Sequence, residues 1–233
     1  MAKNAIAIIP ARGGSKRIPK KNIKEFFGKP LIAYSIKVAL ASKLFEKVIV
    51  TTDDEAIAKI AKEYGAEVPF LRPKELSDDF TGTGDVIEHA IKELESQGEK
   101  YEYICTIYAT APLLQKEYLV EGYTKLSLSD AKYSFSSTTM PFPIQRTFKV
   151  TEDERCKMFT PEYYTTRSQD LEEAYQDAGQ FYWEKRESKS DEIIFGKDSI
   201  PIILPRHLVQ DIDTLEDWKR AELMYKVLEE EKN

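Results

Sequence analysis

The sequence predicts an α/β fold of three layers, with helices on both faces of a mainly parallel sheet. Three observations carry that reading. The chain opens on Ala5-Ile6-Ala7-Ile8-Ile9, a short, continuously apolar run of the kind that is buried on both faces in a parallel sheet. Val48-Ile49-Val50 and Tyr103 to Tyr108 are further runs of this type. Stretches of helical periodicity alternate with them, and strand–helix alternation is the pattern of a parallel sheet covered by helices.

Each element has a local reason. Pro30 stands where a helix can begin, and Leu31, Tyr34, Ser35 and Val38 repeat at helical spacing. Thr51-Thr52-Asp53-Asp54 leads from the second strand into a helix over Ala56 to Tyr64, ended by Gly65. Val68-Pro69-Phe70 reads as extended. From Gly84 to Gln97, Val86, Ile87, Ala90, Ile91 and Leu94 share one helix face, while His89 reads as a surface or packing residue. The second half is less regular. Met140-Pro141-Phe142-Pro143 breaks the pattern, and residues 145–176 are polar and aromatic with scattered charges. We read a single domain over 1–233 with an insertion around 140–176, a β-hairpin arm. Regularity returns at Gln180 to Trp183 and Ile202 to Leu204, and the chain closes on an amphipathic helix marked by Leu215, Trp218, Ala221 and Tyr225.

Composition narrows the function classes. The 233 residues are 42% hydrophobic and 32% charged, which suits one soluble globular domain. A net charge of -6 argues against a general nucleic-acid binder. No run approaches the roughly 20 apolar residues that span a bilayer. The N-terminus lacks a signal peptide's long apolar core, so no membrane partner and a cytoplasmic location are expected. Cys105 and Cys156 have no metal-ligand spacing, and two histidines are too few for a histidine-based zinc site.

Charge is concentrated at the start. Residues 1–24 carry Lys3, Arg12, Lys16, Arg17, Lys20, Lys21 and Lys24 and no Asp or Glu. Ligands of parallel sheets bind beyond the carboxyl ends of the strands, where Pro10 to Asn22 follows the first strand directly. Gly13 and Gly14 let the backbone N–H groups approach an anion. Arg12, Lys16 and Lys21 can neutralise a polyphosphate, and Ser15 and Asn22 can add hydrogen bonds. Neither G-x-x-x-x-G-K-[ST] nor G-x-G-x-x-G is present. On residues alone, a nucleotide-phosphate site competes with a merely solvated basic loop.

The segment IIPARGGSKRIPKKN resembles the N-terminal signature of the CMP-sialic acid synthetase family, and further motifs follow in that family's order along nearly the whole chain. The resemblance implies a Rossmann-like fold of the nucleotide-diphospho-sugar transferase type and joining of a keto sugar acid to CTP. It implies Ala11, Arg12, Gly13, Gly14, Ser15, Asn22, Arg72 and Thr83 as nucleotide contacts. Arg72, in Arg72-Pro73-Lys74-Glu75-Leu76, matches the family's R-P-x-E-L, whose arginine helps hold cytosine. Arg12, Lys16, Lys21 and Asp211 become the catalytic set, and a homodimer is expected.

Asp211-Ile212-Asp213 matches the family's metal-holding D-x-D. In an extended segment residues i and i+2 point to one side, and paired carboxylates suit Mg²⁺. A bland alternative exists for Asp213, as an N-cap completed by Glu216.

Sugar specificity is expected in the middle of the chain. Sialic acid enzymes read Q-P-T-S-P-L-R where this chain has Tyr108-Ala109-Thr110-Ala111-Pro112-Leu113-Leu114. They read R-R-Q-x-x-P and N-G-A-I-Y where it has Arg167-Ser168-Gln169-Asp170 and Asp177-Ala178-Gly179-Gln180-Phe181-Tyr182-Trp183. These departures resemble the branch that activates pseudaminic acid, a nonulosonic acid. They mark Tyr108, Thr110, Arg167, Gln169 and Gln180 as sugar contacts, with Arg167 a bidentate partner for the sugar carboxylate. Rival readings are activation of N-acetylneuraminate, legionaminate or 3-deoxy-manno-octulosonate, an inactive nucleotide-binding module, and a polyanion binder.

Overall fold

The computed structural model describes residues 4–78, 80–186 and 193–230. In chain order its strands are β1 (Ala5–Pro10), β2 (Glu25–Phe26), β3 (Lys29–Pro30), β4 (Lys47–Thr51), β5 (Tyr103–Ile107), β6 (Tyr133–Thr139), β7 (Phe148–Val150), β8 (Cys156–Met158), β9 (Tyr175–Lys185) and β10 (Ser199–Leu204). The α-helices are α1 (Ile32–Ser42), α2 (Glu55–Glu63), α3 (Thr83–Ser96), α4 (Lys116–Ser127) and α5 (Leu215–Glu230). Six strands form the central sheet in the order β10-β6-β9-β5-β1-β4. All neighbours run parallel except β9, which is antiparallel to both β5 and β6.

Strand alternation builds the three layers. Ala5, Ala7 and Ile9 of β1 pack with Ile32 and Ile36 of α1, Ile57 of α2 and Leu119 of α4. Ile6 and Ile8 point the other way, onto Ile87, Ala90, Ile91 and Leu94 of α3. All five β1 residues from Ala5 to Ile9 are fully buried, which explains a run with no polar alternation. Asp54 caps α2, its Oδ1 accepting from the N–H groups of Ala56 and Ile57 at 2.7 and 3.1 Å.

Two of the larger elements escaped the pattern reading, α4 and β6. The β6 sequence, YSFSSTT, looks like a polar loop, yet Ser134, Ser136, Ser137 and Thr138 are all buried. Their hydroxyls satisfy backbone groups instead of water. Ser134 Oγ donates to the Gly122 carbonyl, Ser137 Oγ to that of Gln176 and Thr138 Oγ1 to that of Leu204. Helix α1 begins at Ile32, while Pro30 belongs to the small β2–β3 pair. Strand β9 starts at Tyr175, so the last residues of the expected arm belong to the central sheet. Within 140–176 the β7–β8 hairpin stands apart as its own two-stranded sheet. Cys105 is buried and Cys156 exposed, and both are free thiols. No helix among the described residues is long and apolar enough to cross a membrane.

Candidate active site

The carboxyl ends of β1 and β5 open onto a cleft of about 410 Å³. The loop after β1 forms its floor and is pinned at several points. The Ala11 N–H donates to the Thr51 carbonyl at 3.0 Å, and Asn22 Nδ2 reaches back to the Arg12 carbonyl at 2.9 Å. Lys20 takes the left-handed conformation, φ 53°, as the chain turns into Lys21–Ile23. Ile18 is buried with Phe26, Ile212 and Trp218, which fastens the loop to the segment before α5.

Gly13 is a close approach that admits no side chain. A Cβ there would lie 2.8 Å from Asp54 Oδ2 and 3.0 Å from Asp54 Cβ. The Gly13 N–H donates to Asp53 Oδ1 at 3.0 Å, and the same oxygen lies 3.7 Å from Arg72 Nη2. Asp53 therefore ties the basic loop to the arginine expected at the base. Arg72 is buried, and its Nε donates to Ser77 Oγ at 3.0 Å. Burial lowers its pKa, the positive charge of Arg12 adds to that, and Asp53 opposes it.

Opposite the loop stands Asp211-Ile212-Asp213. Ile212 is fully buried, and the aspartates on either side of it remain open to solvent. Lys21 Nζ donates to the Ile212 carbonyl at 2.5 Å and lies 3.3 Å from Asp213 Oδ1. Arg17 Nη2 pairs with Asp213 Oδ2 at 2.9 Å. Local desolvation, followed by repulsion from Asp213, raises the Asp211 pKa, while Lys21 pulls it down. The cap of α5 is Thr214 with Asp217: Thr214 Oγ1 accepts from the Asp217 N–H at 3.2 Å, and Asp217 Oδ2 accepts from the Thr214 N–H at 2.8 Å. The box expected between Asp213 and Glu216 is thus shifted by one residue, and the Asp213 carboxylate faces the cleft.

At the far end, Tyr108 is clamped from both sides. Its N–H donates to the Gln180 carbonyl at 2.9 Å, and its carbonyl accepts from Ser35 Oγ at 2.7 Å. Its hydroxyl lies 3.5 Å from Thr83 Oγ1. Its ring packs on Tyr182, centroids 5.4 Å apart, and the Tyr182 hydroxyl donates to Asp177 Oδ2 at 2.6 Å. Burial, then Asp177, pushes the Tyr182 phenol far up, so it remains a donor.

The structure gathers most of the residues marked in the sequence. Arg12, Ser15, Lys16, Lys21 and Asn22 line the cleft from the loop, and Arg72, Thr83, Tyr108, Thr110 and Asp213 line it from elsewhere. Ala11, Gly13 and Gly14 shape the loop, and Asp211 stands beside Asp213. Gln180 is enclosed behind Tyr108, at 3% exposure. Arg167 and Gln169 are not among the cleft residues. Arg167 is exposed on the inserted segment and forks onto Asp170 at 2.6 and 3.1 Å. Sequence reasoning gave no role to Arg17, Asp53, Tyr182 or Asp177. Arg17 lay in the basic run and Asp53 at a strand's carboxyl end, so both were signalled by position.

Comparison with known proteins agrees with this geometry. The family model described as Cytidylyltransferase matches residues 6–213, from β1 through Asp213. The chain is 48% identical to the pseudaminic acid cytidylyltransferase of Campylobacter jejuni subsp. jejuni serotype O:2, over 95% of this chain and 96% of that one. It is 33% identical to the N-acylneuraminate cytidylyltransferase of Escherichia coli O18:K1:H7, over 95% of this chain and 52% of the relative. The solved structure of CMP:2-keto-3-deoxy-manno-octonic acid synthetase complexed with CTP superposes with a TM-score of 0.69 at 14% identity, covering 96% of this chain and 99% of that one, and so shares the fold.

Proposed function

Because the chain belongs to the cytidylyltransferase family, we propose that it joins pseudaminic acid to the cytidylyl group of CTP, releasing pyrophosphate. The observation that carries the sugar assignment is 48% identity along almost the full length of an enzyme named for that activity. Tyr108, where sialic acid enzymes are expected to carry glutamine, supports it from the cleft.

In this reading the anomeric oxygen of the sugar forms a bond to the α-phosphorus of CTP. The bond from that phosphorus to the bridging oxygen of the pyrophosphate breaks, and the hydroxyl proton leaves toward the Asp211–Asp213 end of the cleft. Arg12, Lys16, Arg17 and Lys21 meet the charge that grows on the pyrophosphate, as preorganised cations do in phosphoryl transfer. Arg72, held rigid by Ser77 and Asp53, presents its fork to the cytosine ring.

The donor set also fits Mg²⁺. Asp211 and Asp213 offer hard carboxylate oxygens on either side of buried Ile212. No group of three or more His, Cys, Asp or Glu among the described residues could hold a metal by itself, so triphosphate and water oxygens would complete the shell. Bound there, Mg²⁺ supplies positive charge to polarise the α-phosphate.

The same reading makes the chain a cytoplasmic homodimer. The hairpin segment supports the dimer: Phe142, Phe148, Val150, Phe159 and Tyr164 are all exposed along it, and apolar surface of this kind marks interaction sites.

Pyrophosphate release from CTP and Mg²⁺ tests the proposal with one sugar at a time: pseudaminic, N-acetylneuraminic, legionaminic or 3-deoxy-manno-octulosonic acid. Turnover strongest with pseudaminic acid is expected. Turnover mainly with another sugar overturns the sugar assignment, and CTP binding without release from any of them overturns the enzymatic one.

A further inference from the structure

Gln180 was expected to touch the sugar, but the fold uses it differently. Its side chain is buried, Nε2 donates to the Leu208 carbonyl at 2.5 Å, and its backbone carbonyl holds the Tyr108 N–H at 2.9 Å. Its Oε1 is buried and has no hydrogen-bond partner. A bulge creates the position. The β6–β9 register slips between the pairs Phe135–Tyr182 and Ser137–Asp177, and Ser136 Oγ accepts from the N–H groups of both Gln180 and Phe181. Gly179, at φ 61°, belongs to this slipped stretch. Bulges beside active sites re-aim side chains in this way.

Leu208 is buried against Leu113 and Leu228, and the backbone beyond it runs directly to Asp211 and Asp213. One residue thus grips Tyr108 on one wall and the approach to the aspartate pair on the other. We infer that Gln180 is a positioning residue, which fixes the Asp211–Asp213 segment relative to Tyr108 without contacting the substrate. The inference rests on the proposed metal role of that pair.

The unpaired Oε1 separates this role from simple stabilisation. Leaving a buried acceptor unmatched is costly, so Gln180→Met relieves that cost at Oε1 and incurs a similar one at the Leu208 carbonyl, which loses its donor. If Gln180 served stability alone, methionine of nearly the same length would change the thermal midpoint and leave kcat and metal binding as they were. If it positions the pair, Gln180→Met keeps the fold and loses function.

The test measures Gln180→Met beside wild type and Asp213→Asn, in the full chain. Thermal midpoint, KM for CTP, kcat, and Mn²⁺ binding followed by electron paramagnetic resonance with CTP present are read for each. Gln180→Met is expected to lower the midpoint by no more than a few degrees and to keep the KM for CTP, while kcat and Mn²⁺ affinity each fall by about 10-fold, the scale of a lost outer-shell partner. Gln180→Leu, which also removes the donor, is expected to fall at least as far, and it serves if the methionine variant does not fold. Unchanged Mn²⁺ binding in Gln180→Met, with Asp213→Asn impaired, overturns the role of Gln180 alone. Equal Mn²⁺ binding by wild type and Asp213→Asn overturns the metal reading, and this inference with it.

Discussion

The two ends of the cleft are built on different plans. The end proposed to hold the nucleotide comes from short continuous segments: the loop after β1, the Asp53–Asp54 turn after β4, and Asp211-Ile212-Asp213 before α5. Their groups meet in direct charge pairs, with Lys21 and Arg17 on Asp213 and Arg72 beside Asp53. The end proposed to hold the sugar is assembled from neighbours on β5, β6 and β9, through hydroxyls and a bulge. Charge placed on loops tolerates substitution of the scaffold beneath it, whereas a wall made of packed strands changes shape when the strands change. Under the proposed function, one end can therefore stay fixed in chemistry while the other selects a sugar.

The largest expected effect lies where the first plan is most concentrated. Asp213→Asn removes the partner of both Arg17 and Lys21 and half of the proposed metal-binding pair. We expect kcat to fall by on the order of 100-fold or more, comparable to losing a principal electrostatic group of an active site. Steady-state pyrophosphate release measures it. Loss confined to the KM for the sugar would break the division between the two ends.

Next comes Gly13→Ala. The new Cβ meets Asp54, which cannot swing away without releasing the cap of α2. Losing such a cap costs about 1 kcal/mol, or roughly 2–4 °C of thermal midpoint for a chain of this size. The displaced loop should also raise the KM for CTP by about 10-fold, the equivalent of ~1.4 kcal/mol of binding. The KM for the sugar should stay near its wild-type value. Thermal unfolding and initial rates at varied CTP measure both.

The same contrast explains what could be read from the sequence. β1 was legible because five consecutive apolar residues have one sensible place in an α/β fold, and the basic loop because its charges sit side by side. β6 was not, since YSFSSTT satisfies its polarity through the carbonyls of residues distant in sequence. The pairing of Tyr182 with Asp177 was hidden for a related reason: strand alternation sets same-face partners two apart, and these stand five apart across the bulge. Arg167 resembled a carboxylate partner by type and motif, yet Asp170, three residues on, engages it locally. Gln180 was read from its motif as a sugar contact, whereas the fold turns its side chain inward onto the Leu208 carbonyl.

The smallest expected effect tests the sugar end alone. Tyr182→Phe keeps the ring that supports Tyr108 and removes the hydroxyl that donates to Asp177. A hydrogen bond of this kind contributes about 0.5–1.5 kcal/mol, so the KM for the sugar should rise by roughly 2- to 10-fold while that for CTP stays put. A pH signature accompanies it. Burial and Asp177 raise the folded phenol's pKa, so the folded chain keeps a proton that the unfolded chain releases near the ordinary tyrosine value of about 10. The contribution of this group to stability is therefore whole below that pH and declines as pH rises above it. Thermal midpoints of wild type and Tyr182→Phe, measured from neutral pH to about pH 11, should converge or cross at the alkaline end. Parallel curves would mean that the phenol is not held as a buried donor, and a rise in the KM for CTP would join the two ends that the structure separates.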